Sequence, residues 1–162
     1  HTIPYRLPSR LAMDLLPLFY EKPLFKTWMN TANIDKAILK ALVYRTLDDV
    51  PTPLVLQFRE WMQAEGLFAR GGGLDYLEGL KRTSVPILLV TGASDFARRA
   101  RRVLELARPK NVHWVECVKA KGFSADYGHA DLIFGRHAPE EVFPHVLNWV
   151  RAHDPADSRA IT

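Results

Sequence analysis

Val85-Pro86-Ile87-Leu88-Leu89-Val90-Thr91-Gly92-Ala93-Ser94-Asp95 is the stretch on which the reading of the fold turns. Its first six residues are apolar almost throughout, the composition of a strand covered on both faces in a parallel sheet. After it, Phe96, Ala100, Val103, Leu104 and Ala107 recur at helical spacing. Pro109-Lys110-Asn111 ends that helix, and Val112-His113-Trp114-Val115-Glu116-Cys117-Val118 supplies a second strand. Strand, helix, strand in this order is a βαβ unit with parallel strands and a right-handed crossover. The chain therefore reads as α/β.

Working outward toward the C-terminus, Pro139-Glu140-Glu141 opens a last helix, with acidic residues at its positive end. Val142, Val146, Leu147 and Val150 would form its buried face. Pro144 lies inside this pattern, so the helix either kinks or starts later.

Toward the N-terminus the texture changes. Residues 1–80 carry helical patterns and no convincing strand. Asn33 is read as the cap of a helix bearing Ile34, Ile38, Leu39 and Leu42. Thr52 caps a second helix with Pro53 in its first turn and Leu54, Phe58, Trp61 and Met62 on one face, and Gly66 stops it. An earlier helical pattern in 9–20 carries Leu11, Leu15, Leu18 and Phe19, broken at Pro17. Gly71-Gly72-Gly73 punctuates the chain. The division read from these patterns is a helical region over 1–80, a strand–helix–strand–helix part over 81–155 and a tail over 156–162.

Two parallel strands are too few for an independent sheet, and a strand as apolar as 85–90 needs neighbours on both sides. An uncovered edge would invite another chain. The expectation is that further strands come from elsewhere. His1 and the connector-like residues 1–8 agree with an N-terminus produced by processing or cleavage.

At 162 residues, 48% hydrophobic and 25% charged, the chain has the size and composition of one globular domain. No apolar run approaches the ~20 residues that cross a bilayer, so no membrane span is expected. The net charge of +4 is too mild to argue for nucleic acid. Arg98, Arg99, Arg101 and Arg102 read as the solvated face of the helix whose apolar stripe runs between them. The single cysteine, Cys117, excludes an internal disulfide and reads as a buried strand thiol. Histidines 129, 137, 145 and 153 recur every eight residues, a spacing that keeps no helical face, so a zinc site is not expected.

Two residues carry the candidate chemistry. Asp95 follows the C-terminal end of the first strand, where α/β sheets place their sites. A carboxylate there either orients a histidine or, with Ser94, caps the helix that follows. His129 lies in Tyr127-Gly128-His129-Ala130-Asp131-Leu132-Ile133-Phe134-Gly135, a Gly-flanked loop before the last helix. Histidine is the usual general base at neutral pH, since its ordinary pKa is about 6.5. The alternative is a surface or structurally bonded loop histidine. The order strand–Asp95–helix–strand–His129–helix favours a catalytic pair. Asp131 competes with Asp95 as partner of His129, but two residues away in the same loop it more naturally supports the loop backbone. Ser94 lacks the second glycine of a G-x-S-x-G turn and is not read as a nucleophile. Phe19, Tyr20, Phe25, Trp28, Phe58 and Trp61 either line an acyl pocket or belong to the core.

From about 85 to 153 the chain resembles the end of a bacterial α/β-hydrolase. His129-Ala130-Asp131-Leu132-Ile133-Phe134-Gly135 is similar to the histidine loop of the acid-lipase group, H-x-D followed by apolar residues, and the matching acid falls on Asp95. The helical first half is similar in character to a lid inserted after the sixth strand. The resemblance implies a serine hydrolase of carboxylic esters, lipase- or esterase-like, with His129 and Asp95 as two members of its triad. It implies no metal and no organic cofactor. The N-terminal strands, the Ser nucleophile and the oxyanion loop have no counterpart in this sequence. The partner expected is therefore an N-terminal half of the same hydrolase, and the substrate a small-molecule ester. An acyltransferase, thioesterase or C–C hydrolase on the same scaffold stays open, as does a non-catalytic interaction module.

Overall fold

A computed structural model of the chain describes residues 2–4, 28–46, 48–64, 66–93 and 95–154, without the side chains of 3, 42–44, 46 and 95–98. The expected helix in 9–20, with Leu11, Leu15, Leu18, Phe19 and Pro17, lies outside the described residues. So do Tyr20, Phe25, Ser94 and the tail 156–162. The fold is α/β, with a small parallel sheet among helices.

The described residues of the first half are mainly helical. Helix α1 (Lys36–Thr46) is followed by α2 (Thr52–Ala64) and α3 (Tyr76–Arg82). Contrary to the sequence reading, this region also holds strands. β1 (Thr2–Ile3) pairs antiparallel with β2 (Val50–Pro51), Thr2 opposite Pro51 and Ile3 opposite Val50. Two-residue strands are too short for the alternation that reveals a strand. A second correction concerns Asn33. It closes a 3₁₀ turn, Thr31–Asn33, and is buried; α1 begins only at Lys36, where Asp35 Oδ1 accepts the Ala37 N–H at 2.7 Å. The cap is a residue type that suits the position, two residues later than the sequence suggested.

Thr52 and Pro53 open α2, with Thr52 as its first helical residue and not the cap that precedes it. Its apolar residues Leu54, Phe58 and Met62 are exposed, while Trp61 is half-buried and donates Nε1–H to the Phe68 carbonyl at 2.7 Å. Between α2 and α3 a tight loop is closed by Ala69 N–H to Leu74 O at 2.8 Å. Gly71, Gly72 and Gly73 take φ of +85°, +83° and +96° there, a region closed to most side chains. Asp75 then caps α3, its Oδ1 accepting from Leu77 N at 2.8 Å and Glu78 N at 3.2 Å.

The second half carries the βαβ unit. β3 (Ile87–Thr91), α4 (Asp95–Ala107) and β4 (Val112–Glu116) follow in order, and the strands pair in parallel from Ile87 opposite Val112 to Thr91 opposite Glu116. Ile87 N–H donates to Asn111 O at 2.8 Å, and Cys117 N–H to Thr91 O at 2.7 Å. By the alternation of a parallel ladder, Ile87, Leu89 and Thr91 thus address β4, while the backbone groups of Leu88 and Val90 point to the opposite flank. Among the described residues no strand occupies that flank.

Leu88 and Val90 pack with Val115, Cys117, Tyr127, Ala138 and Val142 in the main core cluster. Cys117 is fully buried, and burial pushes its thiol up to about 12, the opposite of an activated nucleophile. Arg101 lies over the Trp114 ring at 4.4 Å and Arg102 pairs with Glu105 at 3.7 Å, so these arginines are engaged along their own helix and the adjacent strand.

The last described elements are three helices, α5 (Asp131–Phe134), α6 (Ala138–Glu141) and α7 (Phe143–Ala152). The break at Val142 puts Pro144 in the first turn of α7, where its missing N–H costs nothing; the later start is realised. The expected burial of α7 is not. Val142 is buried, but Val146, Leu147 and Val150 are 38%, 48% and 48% exposed. They share one face of α7, and the described residues supply no element to cover it. No helix among the described residues is long and apolar enough to cross a membrane.

Candidate functional site

The site is built where β3 ends. Thr91 is the last strand residue; Gly92 and Ala93 turn the chain into α4, whose first residue is Asp95. The turn is bonded to the histidine loop through its backbone: Ala93 N–H donates to the Tyr127 carbonyl at 2.6 Å. A Cβ on Gly92 would meet that oxygen at 2.0 Å and the Gly128 oxygen at 3.0 Å, so only glycine permits the approach. The turn that carries Asp95 and the loop that carries His129 are therefore joined two residues before each. The side chain of Asp95 lies outside the described residues.

Tyr127 anchors the loop from within. It is fully buried, its N–H donates to Cys117 O at 3.1 Å and its hydroxyl donates to Glu141 Oε2 at 2.7 Å. Glu141 also accepts from Ser124 N at 3.2 Å and Ser124 Oγ at 3.0 Å. Burial and the Glu141 bond push the Tyr127 phenol up to about 12. Burial works against the charge on Glu141, yet the bonds from Tyr127 and Ser124 outweigh it and hold the carboxyl below its usual range.

Asp131 organises the other side of the loop. It is fully buried, and its Oδ1 accepts from Gly128 N at 2.8 Å and Asn30 N at 3.0 Å, while Oδ2 accepts from Asn33 Nδ2 at 3.1 Å. These bonds tie the loop to the strap formed by 28–34. The strap is also held by Ala130 N–H to Trp28 O at 3.1 Å, Arg136 N–H to Asn33 O at 2.7 Å and Asn30 Nδ2 to Asp126 O at 3.1 Å. One of the three bonds supports the loop backbone, as the sequence suggests; the other two go to the strap, which the sequence does not reveal.

His129 itself is exposed, at the rim of a cleft of about 550 Å³ lined mainly by apolar side chains, among them Val90, Leu132, Ile133, Phe143, Val146 and Leu147. The cleft runs from the histidine along the uncovered face of α7 and reaches β3 at Val90. Among the described residues no group of three His, Cys, Asp or Glu side chains is disposed to hold a metal ion.

Sequence reasoning missed Asn30, Asn33, Tyr127 and Glu141 as parts of this site. Asn33 and Glu141 were read as local helix residues, and their partners lie 98 and 14 positions away. The closeness of Gly92 to the histidine loop had a signal in the Thr91-Gly92 turn, whereas the two asparagines had none. Comparison with protein-family models, with curated proteins and with solved structures finds no match to this chain.

Proposed function

We propose that this chain is the lid and C-terminal part of an α/β-hydrolase-fold serine hydrolase of carboxylic esters, completed by an N-terminal half that brings the nucleophilic serine. The observation that carries this reading is the Ala93–Tyr127 backbone bond, which joins the turn leading to Asp95 with the loop leading to His129 at the C-terminal end of β3. That end of a parallel strand is where α/β folds assemble sites from loops.

Two further observations support the missing half. The backbone groups of Leu88 and Val90 look outward from β3, and the cleft beside them is lined by apolar residues of α7 that lie 38–48% exposed. An added parallel strand with its helix satisfies both at once. The uncovered apolar stripe is of the kind that marks an interaction surface.

In the assembled enzyme His129 takes the proton of the serine hydroxyl as it attacks the ester carbonyl, then returns that proton to the leaving alcohol. Asp95 orients the imidazole and balances the imidazolium charge. Oxyanion donors come from the other half. The chemistry asks for no metal or organic cofactor.

The test is labelling with a fluorophosphonate probe, of this chain alone and mixed with an N-terminal half. Labelling of the second polypeptide only in the mixture, and its loss in His129→Ala, is the expected result. Labelling of this chain alone, or undiminished labelling with His129→Ala, overturns the reading.

A further inference from the structure

His129 sits between two residues held by separate bonds, one to the buried carboxylate that joins the loop to the strap and one to the strap itself. On one side Gly128 gives its N–H to Asp131 Oδ1 at 2.8 Å; on the other Ala130 gives its N–H to Trp28 O at 3.1 Å. The packing leaves no slack, since a Cβ on Gly128 would meet Met29 Cα at 2.5 Å and Asp131 Oδ1 at 2.7 Å. Asp131 is fully buried and collects Gly128, Asn30 and Asn33 on two oxygens. The backbone around His129 is thereby fixed by the strap rather than by the loop alone.

We propose that Asp131 is a positioning residue: it couples the strap 28–34 to the histidine loop, so that the pose of His129 follows the position of the strap. This deepens the triad reading, on which its catalytic meaning rests; the coupling itself is a property of the chain. The chemistry of the pair is specific. Asn33 Nδ2 is a donor and needs an acceptor at Oδ2, while Gly128 N and Asn30 N need one at Oδ1. An isosteric Asp131→Asn turns one of these acceptors into a donor. With the Asn33 amide held as it stands, either the Asn33 bond becomes a donor–donor contact or the two backbone N–H groups lose their partner; turning that amide over would instead withdraw its N–H from Tyr127. Exchanging the two side chains, Asn33→Asp with Asp131→Asn, restores donor against acceptor across the pair and leaves the other oxygen for the backbone.

The experiment is NMR of the labelled chain, following the Gly128 and Asn30 amides and the His129 ring resonances, together with turnover of the assembled enzyme. Asp131→Asn is expected to displace both amides and the His129 ring resonances. In the assembly it should lower kcat on the order of 10²-fold with KM little changed, as small misplacements of a catalytic group do. The double exchange should recover amides, ring resonances and kcat together. Unchanged Gly128 and His129 signals in Asp131→Asn, or failure of the exchange to recover them, overturn the proposal. Should Asp131→Asn not fold, Asn33→Ala removes one bond of the three. Displacement of the same signals supports the coupling, and unmoved signals overturn it. If the signals move but no mixture turns over ester, the hydrolase reading fails and the coupling stands.

Discussion

A Cβ placed on Gly92 would lie 2.0 Å from the carbonyl oxygen of Tyr127, and 2.6 Å from its carbonyl carbon. The strand-end turn and the histidine loop thus touch backbone to backbone, with no side chain able to move aside. Gly92→Ala must therefore push the two turns apart. The expected loss is at least ~3 kcal/mol, the upper end of overpacking costs. The midpoint of urea unfolding measures it, and an unchanged midpoint would mean that the turns are not held together.

Tyr127 and Glu141 predict opposite pH limits. The phenol goes from an ordinary 10.0 to about 12 and the Cys117 thiol from 9.0 to about 12, so the unfolded chain loses these protons first. Stability should be complete below pH 9 and fall as pH rises toward 12. Glu141 is depressed below its ordinary 4.5, so its contribution is present above that value and vanishes as pH falls through the lower folded one. Tyr127→Phe removes the bond at a cost of about 1–2 kcal/mol, kept modest by solvent access to Glu141. It should flatten the alkaline limb above pH 10. Thermal midpoints across pH for both proteins give the comparison.

Cys117 should be inert in the native chain. It is fully buried and its thiol is raised to about 12, so a disulfide reagent at pH 8 finds almost no thiolate and no access. Release of the reagent's chromophore is expected only with denaturant. Rapid native labelling would contradict the packing around β4.

His129→Ala and Asp95→Asn test the chemistry directly. His129 is exposed beside the apolar cleft, and His129→Ala removes its ring. In the assembled enzyme the same substitution should abolish ester hydrolysis, and Asp95→Asn should cost on the order of 10⁴ in kcat, as in the best-studied triad. A trivial loss in Asp95→Asn would assign the acid's role elsewhere.

Leu147→Glu probes the uncovered face of α7. At 48% exposure Leu147 contributes little to this chain's own core, so stability should change by at most about 0.5 kcal/mol. Association should suffer: sedimentation is expected to show the wild-type chain pairing with its other half and the variant failing to. Equal association of both would free this face from the interface.

How much of this was legible in the sequence depends on the range of the interaction. The βαβ unit was readable because Val85 to Val90 is apolar beyond what one covered face requires and Phe96 to Ala107 keeps a helical stripe. Gly66 and Pro144 mark boundaries through backbone rules that act within a turn. Asn33 shows the limit: the same residue type caps helices and satisfies buried carboxylates, and only the fold brings Asp131 to it. The stripe Val146, Leu147 and Val150 was visible as apolar, but periodicity cannot say whether its cover belongs to the same polypeptide. Two-residue strands such as Thr2–Ile3 leave no period at all.

The bond from Asn30 to Asp131 spans 101 positions of sequence. Closing so large a circuit is entropically slow, and its reward arrives only when both ends are already in place. The final shape of the loop bearing His129 therefore depends on a contact between distant parts of the chain and not on its local sequence alone, which separates the appearance of secondary structure from the acquisition of a site.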